Sequence, residues 1–251
     1  MIRRLKSLAD KKARDSAGLM LVEGEVMIRE ALACGLSLSE MIYEEGAEGR
    51  YAELASLVQA AGGRAFSVPR ALIESVAGTR TPQGVCASFR MPRRRSPEGD
   101  LPDRLVALNG VQDPGNVGTI WRTADAAGFG GLLMDGACAD PFSPKVQRAA
   151  MGSGFRLPVF EAADMGETLH RLRGTGYAVV VSCLDGEPFY QTNLPRGRVV
   201  LVVGSEAHGV SDSVKAQADL RLKLPMRGGA ESLNAAVAAG IMMYEMTKFL
   251  E

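Results

Sequence analysis

The chain is poor in the residues that build metal sites, disulfide scaffolds and membrane spans. Its four cysteines are widely spaced and form no C-x-x-C pair, which argues against structural zinc and against a disulfide framework. Of its two histidines only His208 lies in a Gly-rich loop, and one imidazole does not make a metal site. No segment approaches the roughly 18 consecutive apolar residues of a membrane span, and no apolar segment that would mark a signal peptide follows the basic N-terminus. We therefore expect a cytoplasmic protein without metal or membrane anchor.

Net charge is also absent, because 29 Lys and Arg balance 29 Asp and Glu. A polyanionic partner therefore cannot be deduced from overall charge. The local distribution is uneven, since residues 1–14 carry one acid, Asp10, and a basic set: Arg3, Arg4, Lys6, Lys11, Lys12 and Arg14. Basic patches on a neutral protein can bind phosphates, and the alternative is ordinary solvated charge on a helix.

A stretch rich in proline and charge, residues 90–103, divides the sequence. Proline fixes φ and removes a hydrogen-bond donor, so this stretch is neither a helix interior nor a central strand. We expect an N-terminal domain over residues 1–92, a linker over 93–103 and a C-terminal domain over 104–251.

The N-terminal part alternates between helical and strand periodicity, which indicates a small α/β module. Helices are predicted at 2–13, 25–34, 50–61 and 69–76, and strands at 19–23, 39–44, 64–68 and 85–89.

The C-terminal part alternates more regularly, and its strands are continuous apolar runs. Strands are predicted at 104–108, 131–134, 157–160, 177–182, 198–203 and 219–224, and helices at 116–127, 143–151, 164–173, 211–217 and 232–249. Strands that are apolar on both sides, joined by helices, predict a mostly parallel sheet with helices on both faces.

Three loops rich in Gly and small polar residues follow strands of this sheet, at Asn109–Gly118, Val203–Gly209 and Leu224–Asn234. Loops that leave the carboxyl ends of parallel strands gather at one edge, where ligands bind. The three loops therefore predict one composite site.

Common cofactor motifs are missing from these loops. None has the G-x-G-x-x-G spacing of a dinucleotide fold, the G-x-x-x-x-G-K-[ST] phosphate loop or the G-x-S-x-G nucleophile elbow. A site of Gly, Ser and Asn with a few charged groups, Arg122, Glu206 and Arg227, suits a neutral or zwitterionic small molecule held mainly by backbone groups.

Asn109–Arg122, Gly204–Gly209 and Leu224–Asn234 together resemble, in order and spacing, the three signature motifs of the SpoU/TrmH class of RNA 2′-O-ribose methyltransferases in the SPOUT superfamily. Residues 2–32 also resemble the small substrate-binding domain that precedes the catalytic domain in ribosomal-RNA members. The resemblance implies S-adenosylmethionine as cofactor, a deep C-terminal trefoil knot and a homodimer formed through the catalytic domain.

The resemblance also implies roles for individual residues. Cofactor-binding positions are Gly204, Leu224, Met226, Ser232 and Leu233. Catalytic positions are Asn116, Arg122, Glu206, Ser232 and Asn234. A guanidinium is almost always protonated, so Arg122 is interpreted as stabilising a developing alkoxide rather than as a base, although sequence does not separate the two. Capping of helix N-termini is the alternative role of Asn116, Ser232 and Asn234.

RNA contacts are predicted at Arg3, Arg4, Lys11, Lys12 and Arg14, and at Lys145 and Arg148 in a stretch similar to one that approaches RNA in the family. Trp121 is interpreted as a packing residue, with base stacking as the alternative. One departure from the family pattern is Ala207, which stands where a glycine is common and would be strained if φ were positive.

The expected function is therefore S-adenosylmethionine-dependent methylation of a ribose 2′-hydroxyl, in 23S ribosomal RNA. Two alternatives stay open: a tRNA ribose methyltransferase with the same chemistry, and a non-catalytic RNA-binding or ribosome-assembly protein of the same fold. The N-terminal module favours ribosomal RNA over tRNA.

Overall fold

The structure is a computed structural model that describes residues 1–79 and 81–248. Tertiary contacts divide the chain into two units. The first contains Met1–Pro92 together with Phe142–Arg156, and the second contains Arg93–Pro141 together with Leu157–Glu251. The segment Phe142–Arg156 therefore groups with the N-terminal residues, although it lies within the predicted C-terminal domain.

The first unit is a mixed α/β module. Its elements are α1 (Ile2–Ser7), α2 (Lys11–Ala17), β1 (Leu19–Glu23), α3 (Glu25–Ala33), β2 (Leu38–Glu44), α4 (Glu48–Ala60), β3 (Arg64–Val68), α5 (Arg70–Ala77) and β4 (Val85–Arg90). The segment Phe142–Arg156 adds two short helices to this unit. The sheet order is β1-β4-β2-β3, in which only the β2–β3 pair is parallel.

The predicted helix over residues 2–13 is in fact two helices, and this part of the prediction is wrong. The chain turns between Leu8 and Asp10, and the Asp10 side chain accepts a hydrogen bond from the Ala13 amide at the start of α2. An aspartate at this position satisfies an amide that lacks a partner within the helix, so it marks a helix start inside the basic segment.

The second unit contains the parallel sheet that the apolar strands predict. Its first elements are β5 (Arg104–Asn109), α6 (Pro114–Ala126) and β6 (Gly131–Asp135). The chain then forms the first unit's α7 (Pro144–Ala150) and α8 (Ser153–Arg156) before returning. The remaining elements are β7 (Val159–Ala162), α9 (Met165–Gly174), β8 (Ala178–Pro188), β9 (Val199–Gly204), α10 (Asp212–Lys215), β10 (Leu220–Lys223) and α11 (Ala235–Thr247).

Every strand pair of this sheet is parallel within the described residues, in the order β10-β8-β9-β5-β6-β7. Alternate strand residues such as Ala107 and Val202 share a core with Leu169 of α9 and Val214 of α10. The intervening strand residues are also buried, and α6 and α11 contact strands β6 and β9. The sheet therefore has helices on both faces. The trefoil knot implied by the resemblance stays a prediction.

Several element boundaries differ from the sequence expectation. Strand β8 continues to Pro188, well beyond the predicted end, and β7 begins at Val159. Helix α6 begins at Pro114, because Asp113 caps it. Helix α11 begins only at Ala235, and the predicted end of this helix at residue 249 lies outside the described residues. None of the described helices combines the length and apolar character needed to cross a bilayer.

Candidate active site

The first two motif loops leave adjacent strands at the same level. In the register of β5 and β9, Asn109 lies opposite Gly204. The loop after β9 closes on itself through paired backbone hydrogen bonds between Ser205 and Gly209, at 3.2 and 2.8 Å. A Cβ on Gly204 would lie 2.2 Å from the Gly209 carbonyl carbon. Only glycine therefore allows the backbone to approach so closely at Gly204.

One side-chain network joins all three motif loops. Asn116 Nδ2 donates to Glu206 Oε1 at 3.1 Å, and Asn234 Nδ2 donates to the same oxygen at 2.6 Å. Asn234 Nδ2 also contacts Asn116 Oδ1 at 2.9 Å, and the Ala235 amide donates to Glu206 at 3.2 Å. Residues separated by more than 100 positions in the chain are thus held within hydrogen-bonding distance.

Helix capping explains only part of this arrangement. Asp113, rather than Asn116, caps α6, and its carboxylate accepts from the Asn116 amide at 2.8 Å. Asn234 has both roles, since its Oδ1 accepts from the Ala236 and Val237 amides while its Nδ2 enters the network. Ser232 is exposed and precedes the cap. The network positions are therefore not accounted for by capping alone.

A second network, not anticipated from sequence, supports the first loop. Asp135 at the end of β6 accepts from Asn109 Nδ2 at 2.7 Å and from the Gly110 amide. Asn109 Oδ1 in turn accepts from the Ser211 amide at 2.8 Å. An aspartate at the carboxyl end of a parallel strand next to β5 was the available signal, because such positions face the loops of neighbouring strands.

A cavity of about 410 Å³ lies against the second and third motif loops, within the second unit. Its wall includes all five positions predicted to bind cofactor: Gly204, Leu224, Met226, Ser232 and Leu233. Glu206 and residues 182–185 of β8 also line the cavity. The volume lies in the range of about 300–1,000 Å³ typical of small-molecule sites, and the mixture of backbone groups with apolar side chains fits a nucleoside-containing zwitterion such as S-adenosylmethionine.

Arg122 lies outside the cavity wall. It is an exposed residue of α6, about 9 Å further along the helix axis than Asn116. Its guanidinium has no ion pair or hydrogen bond with the residues that the structure describes. The neighbouring Thr123 packs on α11, 3.4 Å from where a Cβ of Gly240 would stand. Arg122 is therefore an unpaired cation beside α11, separate from the Asn116–Glu206–Asn234 network.

Local packing and backbone geometry account for Trp121 and Ala207. Trp121 is fully buried and donates to the Leu157 carbonyl at 3.2 Å, so it packs and does not offer a ring to a base. Ala207 is unstrained, because Met151 is the only non-glycine residue with positive φ in the described part of the chain. Gly209 instead takes the left-handed conformation in this loop.

The basic residues predicted to contact RNA fall into two groups. Arg14 is buried and donates to the Leu8 and Ala9 carbonyls at 2.7 and 2.8 Å, so its assignment as an RNA contact is wrong in this conformation. Arg4 pairs with Glu40 at 2.6 Å, and Arg148 pairs with Glu23 at 3.4 Å. Of these predicted contacts, four stay exposed and form no ion pair with a described residue: Arg3, Lys11, Lys12 and Lys145.

The thiols near the loops have raised pKa values. Burial raises the pKa of Cys138 to about 12, and the Asp135 carboxylate adds to this effect. Burial also raises the pKa of Cys183, at the cavity wall, to about 11. Both thiols are therefore protonated at neutral pH, which makes them weak nucleophiles. No group of three or more metal-ligand side chains occurs in residues 1–79 and 81–248.

The fold and cavity together define a ligand-binding α/β class, and comparison with known proteins identifies the family. The model of the SpoU rRNA methylase family matches residues 103–244, and the model of the MRM3-like substrate-binding domain matches residues 1–87. The chain belongs to the SpoU rRNA methylase family. It is a methyltransferase of this family with a preceding substrate-binding domain.

Individual relatives cover nearly the whole chain. The 23S rRNA (guanosine(2553)-2′-O)-methyltransferase RlmP of Bacillus subtilis is 33% identical over 96% of this chain and 93% of its own length. The crystal structure of an AdoMet-bound rRNA methyltransferase from Sinorhizobium meliloti has a TM-score of 0.88 and 31% identity, covering 100% of this chain and 95% of that one.

A tRNA-modifying relative matches less of the chain. The TrmH/SpoU tRNA modifying enzyme of A. aeolicus has a TM-score of 0.52 and 28% identity, and the match covers 61% of this chain and 77% of that one. The likeness to the two rRNA methyltransferases therefore extends over a larger part of this chain.

Proposed function

We propose that the protein uses S-adenosylmethionine to methylate a ribose 2′-hydroxyl in ribosomal RNA, within the 23S molecule. The observation that carries this proposal is that Glu206, at the wall of the cavity, accepts hydrogen bonds from Asn116 and Asn234 and so joins three separate loops beside that cavity. A folded scaffold without catalytic function would not need a polar network at a ligand-sized cavity. The non-catalytic alternative is disfavoured for this reason.

Different groups of the cavity wall suit the different parts of the cofactor. Backbone groups around Gly204 and Leu224 bind the polar edges of a nucleoside, while Met226 and Leu233 pack on its apolar surfaces. Ser232 offers a hydroxyl at the same wall. Glu206 adds negative charge beside the cavity, which favours a cationic sulfonium over a neutral thioether.

When bound, S-adenosylmethionine supplies a methyl group on sulfur that is transferred in line to an oxygen nucleophile. The protein must therefore orient the 2′-hydroxyl and stabilise the negative charge that develops on its oxygen as the proton passes to solvent water. Arg122 is suited to this task, because its protonated guanidinium is exposed and unpaired among the described residues. Asn116 and Asn234 position the loops around the reacting groups rather than transfer protons.

The substrate-binding role belongs to the N-terminal domain, for which we retain residues 1–92, followed by the linker 93–103 and the catalytic domain 104–251. The exposed cations Arg3, Lys11, Lys12 and Lys145 are suited to phosphate contacts. The matched substrate-binding domain and the rRNA-methylating relatives favour ribosomal RNA over tRNA. The four free cysteines are consistent with a cytoplasmic protein.

A homodimer completes the proposal. Helix α11 is apolar on all sides. On one of its faces Val237 and Tyr244 are exposed, as is Leu233, which lies two residues before the helix begins. A helix that is apolar all round is normally covered. Leu233 also lines the cavity, so a second copy bound to this face would lie beside the cofactor site and near Arg122. By contrast, Met242 and Met243 are buried within one protomer and serve as core.

The reaction is tested by incubating the protein with S-adenosylmethionine and ribosomal RNA, and by mapping ribose methylation with mass spectrometry. We expect Arg122→Ala to reduce kcat by about 10²- to 10³-fold while cofactor affinity stays within twofold, since the charge acts on the developing alkoxide. Transfer to tRNA but not to ribosomal RNA would select the tRNA alternative. Cofactor binding without transfer to any cellular RNA would refute the enzymatic proposal.

A further inference from the structure

The cofactor cavity contains more charged side chains than the motif residues account for. Besides Glu206, its wall includes Asp185 at the end of β8, Lys215 of α10 and Lys223 of β10. These three side chains lie on elements that precede or flank the second and third motif loops. None of them was predicted to be a site residue.

The two carboxylates of the wall already have partners. Glu206 accepts three hydrogen bonds from the network of Asn116, Asn234 and the Ala235 amide. Asp185 pairs with Arg221 at 3.6 Å. The pKa of Asp185 is lowered first by a hydrogen bond from the Cys183 thiol, with Lys215 and Arg221 as smaller contributors. Lys215 thus lies close to the β8 end of the cavity.

The two lysines of the wall, unlike its carboxylates, form no close pair. Neither Lys215 nor Lys223 has an ion pair or hydrogen bond with another described residue, and both line the cavity. Lys215 is partly buried and Lys223 is exposed. Cationic groups that line a ligand cavity and form no close ion pair favour an anionic group on the ligand.

We propose that Lys215 and Lys223 bind the carboxylate of the amino-acid end of the cofactor, at the β8–α10–β10 side of the cavity. The inference rests on the proposed function, because S-adenosylmethionine carries a single anionic group, the α-carboxylate. The lysines hold that end of the molecule while the backbone loops hold the nucleoside. They are cofactor-binding residues and take no part in proton transfer.

The experiment compares two thioether nucleosides that differ in this end. S-adenosylhomocysteine has the amino-acid group, and 5′-methylthioadenosine lacks it. Calorimetry measures the affinity of each for the wild-type protein, Lys215→Ala, Lys223→Ala and the double variant. We expect each single substitution to weaken S-adenosylhomocysteine binding about tenfold or more, while 5′-methylthioadenosine affinity changes less than twofold.

Two matched controls separate this role from a general effect of charge or stability. Lys215→Arg keeps the cation and should retain most of the affinity. Lys248→Ala removes the same charge from the end of α11, outside the cavity wall, and should bind both nucleosides as the wild type does. Thermal melts of each variant confirm that it is folded.

The outcomes are distinct. Equal weakening of both nucleosides, or of neither, would overturn the assignment. Unchanged nucleoside affinity with weaker RNA binding would also overturn it and assign the lysines to an RNA phosphate. Failure of the wild-type protein to bind either nucleoside would instead refute the proposed function, and the lysine assignment with it.

Discussion

Carboxylates are held differently in the two units. In the first, Glu40 is only 2% exposed and pairs with the guanidinium groups of Arg4 and Arg64, at 2.6 and 2.7 Å. In the second, Glu206 accepts hydrogen bonds from the neutral N–H groups of two asparagine side chains and one amide. The charge of Glu40 is compensated by cations, whereas that of Glu206 is oriented but not neutralised.

This difference separates a structural role from a functional one. A buried carboxylate between two arginines fixes local packing, and its ion pairs contribute little field beyond them. A carboxylate held by neutral donors is fixed in direction and still presents negative charge to the adjacent cavity. The contrast predicts that removing the charge of Glu206 lowers activity, whereas removing the charge of Glu40 lowers stability.

Within this comparison of carboxylates, the largest expected effect comes from the isosteric pair Glu206→Gln and Glu40→Gln. Glutamine keeps an acceptor oxygen for the three donors around position 206 but removes the charge, so we expect methyl transfer to fall about tenfold to a hundredfold, with little change in stability. At position 40 we expect a loss of about 1–2 kcal/mol in the free energy of unfolding, because the partner arginines are partly exposed and can turn to water.

Denaturant unfolding and steady-state kinetics on both variants measure the two effects. The activity of Glu40→Gln per folded molecule should equal that of the wild type. A Glu206→Gln variant that is unstable but fully active would contradict the comparison, because it would make Glu206 a structural residue.

Asn234 sharpens the comparison within a single side chain, since it both caps α11 and joins the network. Asn234→Ala removes both roles, and we expect a loss of about 1 kcal/mol in stability together with about tenfold lower activity. Asn234→Ser is the matched control, because serine caps helices well but lacks the amide donor. It should recover the stability and leave activity low. Recovery of both by serine would reduce the role of Asn234 to capping.

The parallel sheet and the meeting of the three loops were predictable from sequence, for a physical reason. Continuous apolar runs such as Val199–Gly204 form strands that are buried on both faces, and loops after parallel strands share an edge. The positions of Asn116, Glu206 and Asn234 followed from the family motifs. The aspartate network at Asp135 was missed, because an acid at the end of a strand is a signal only once the order of the strands is known.

Clusters of basic residues predicted RNA contacts less well than the spacing of the motifs predicted the loop network. The arginines Arg4, Arg14 and Arg148 stand in or near basic stretches, yet each contacts a carboxylate or a carbonyl within the first unit. Arginine has five donors and readily bridges buried acceptors, so its presence in a cluster does not distinguish RNA contact from internal pairing. The lysines of the same segment lack such partners in the described structure.

Cysteine reactivity provides a smaller test of the two regions. Burial raises the pKa of Cys86, in the first unit, to about 12, and that of Cys183, at the cavity wall, to about 11. Both thiols therefore gain charge only at alkaline pH, and folding stability should fall as pH rises from about 9 to 12, where unfolded thiols ionise first. Chemical denaturation at a series of pH values measures this fall.

The same thiols test where the cofactor binds. At pH 8, S-adenosylhomocysteine should slow alkylation of Cys183 severalfold and leave the alkylation of Cys86 unchanged. Peptide mapping after maleimide treatment measures both sites, and equal protection would argue against a cofactor at the Cys183 wall.

The smallest expected effect concerns the exposed lysines of the first unit. If Lys11 and Lys12 contact phosphates, Lys11→Ala/Lys12→Ala should weaken RNA binding a few-fold at physiological salt and lower the slope of log affinity against log salt by about 1.4 for single strands. Arg14→Ala is the contrasting variant, because its guanidinium holds the Leu8 and Ala9 carbonyls at the start of α2. It should reduce thermal stability while leaving the salt slope of the remaining folded protein unchanged. A salt slope that falls in Arg14→Ala but not in the lysine variant would reverse the assignment, and would mean that the buried arginine leaves its carbonyl partners when RNA binds.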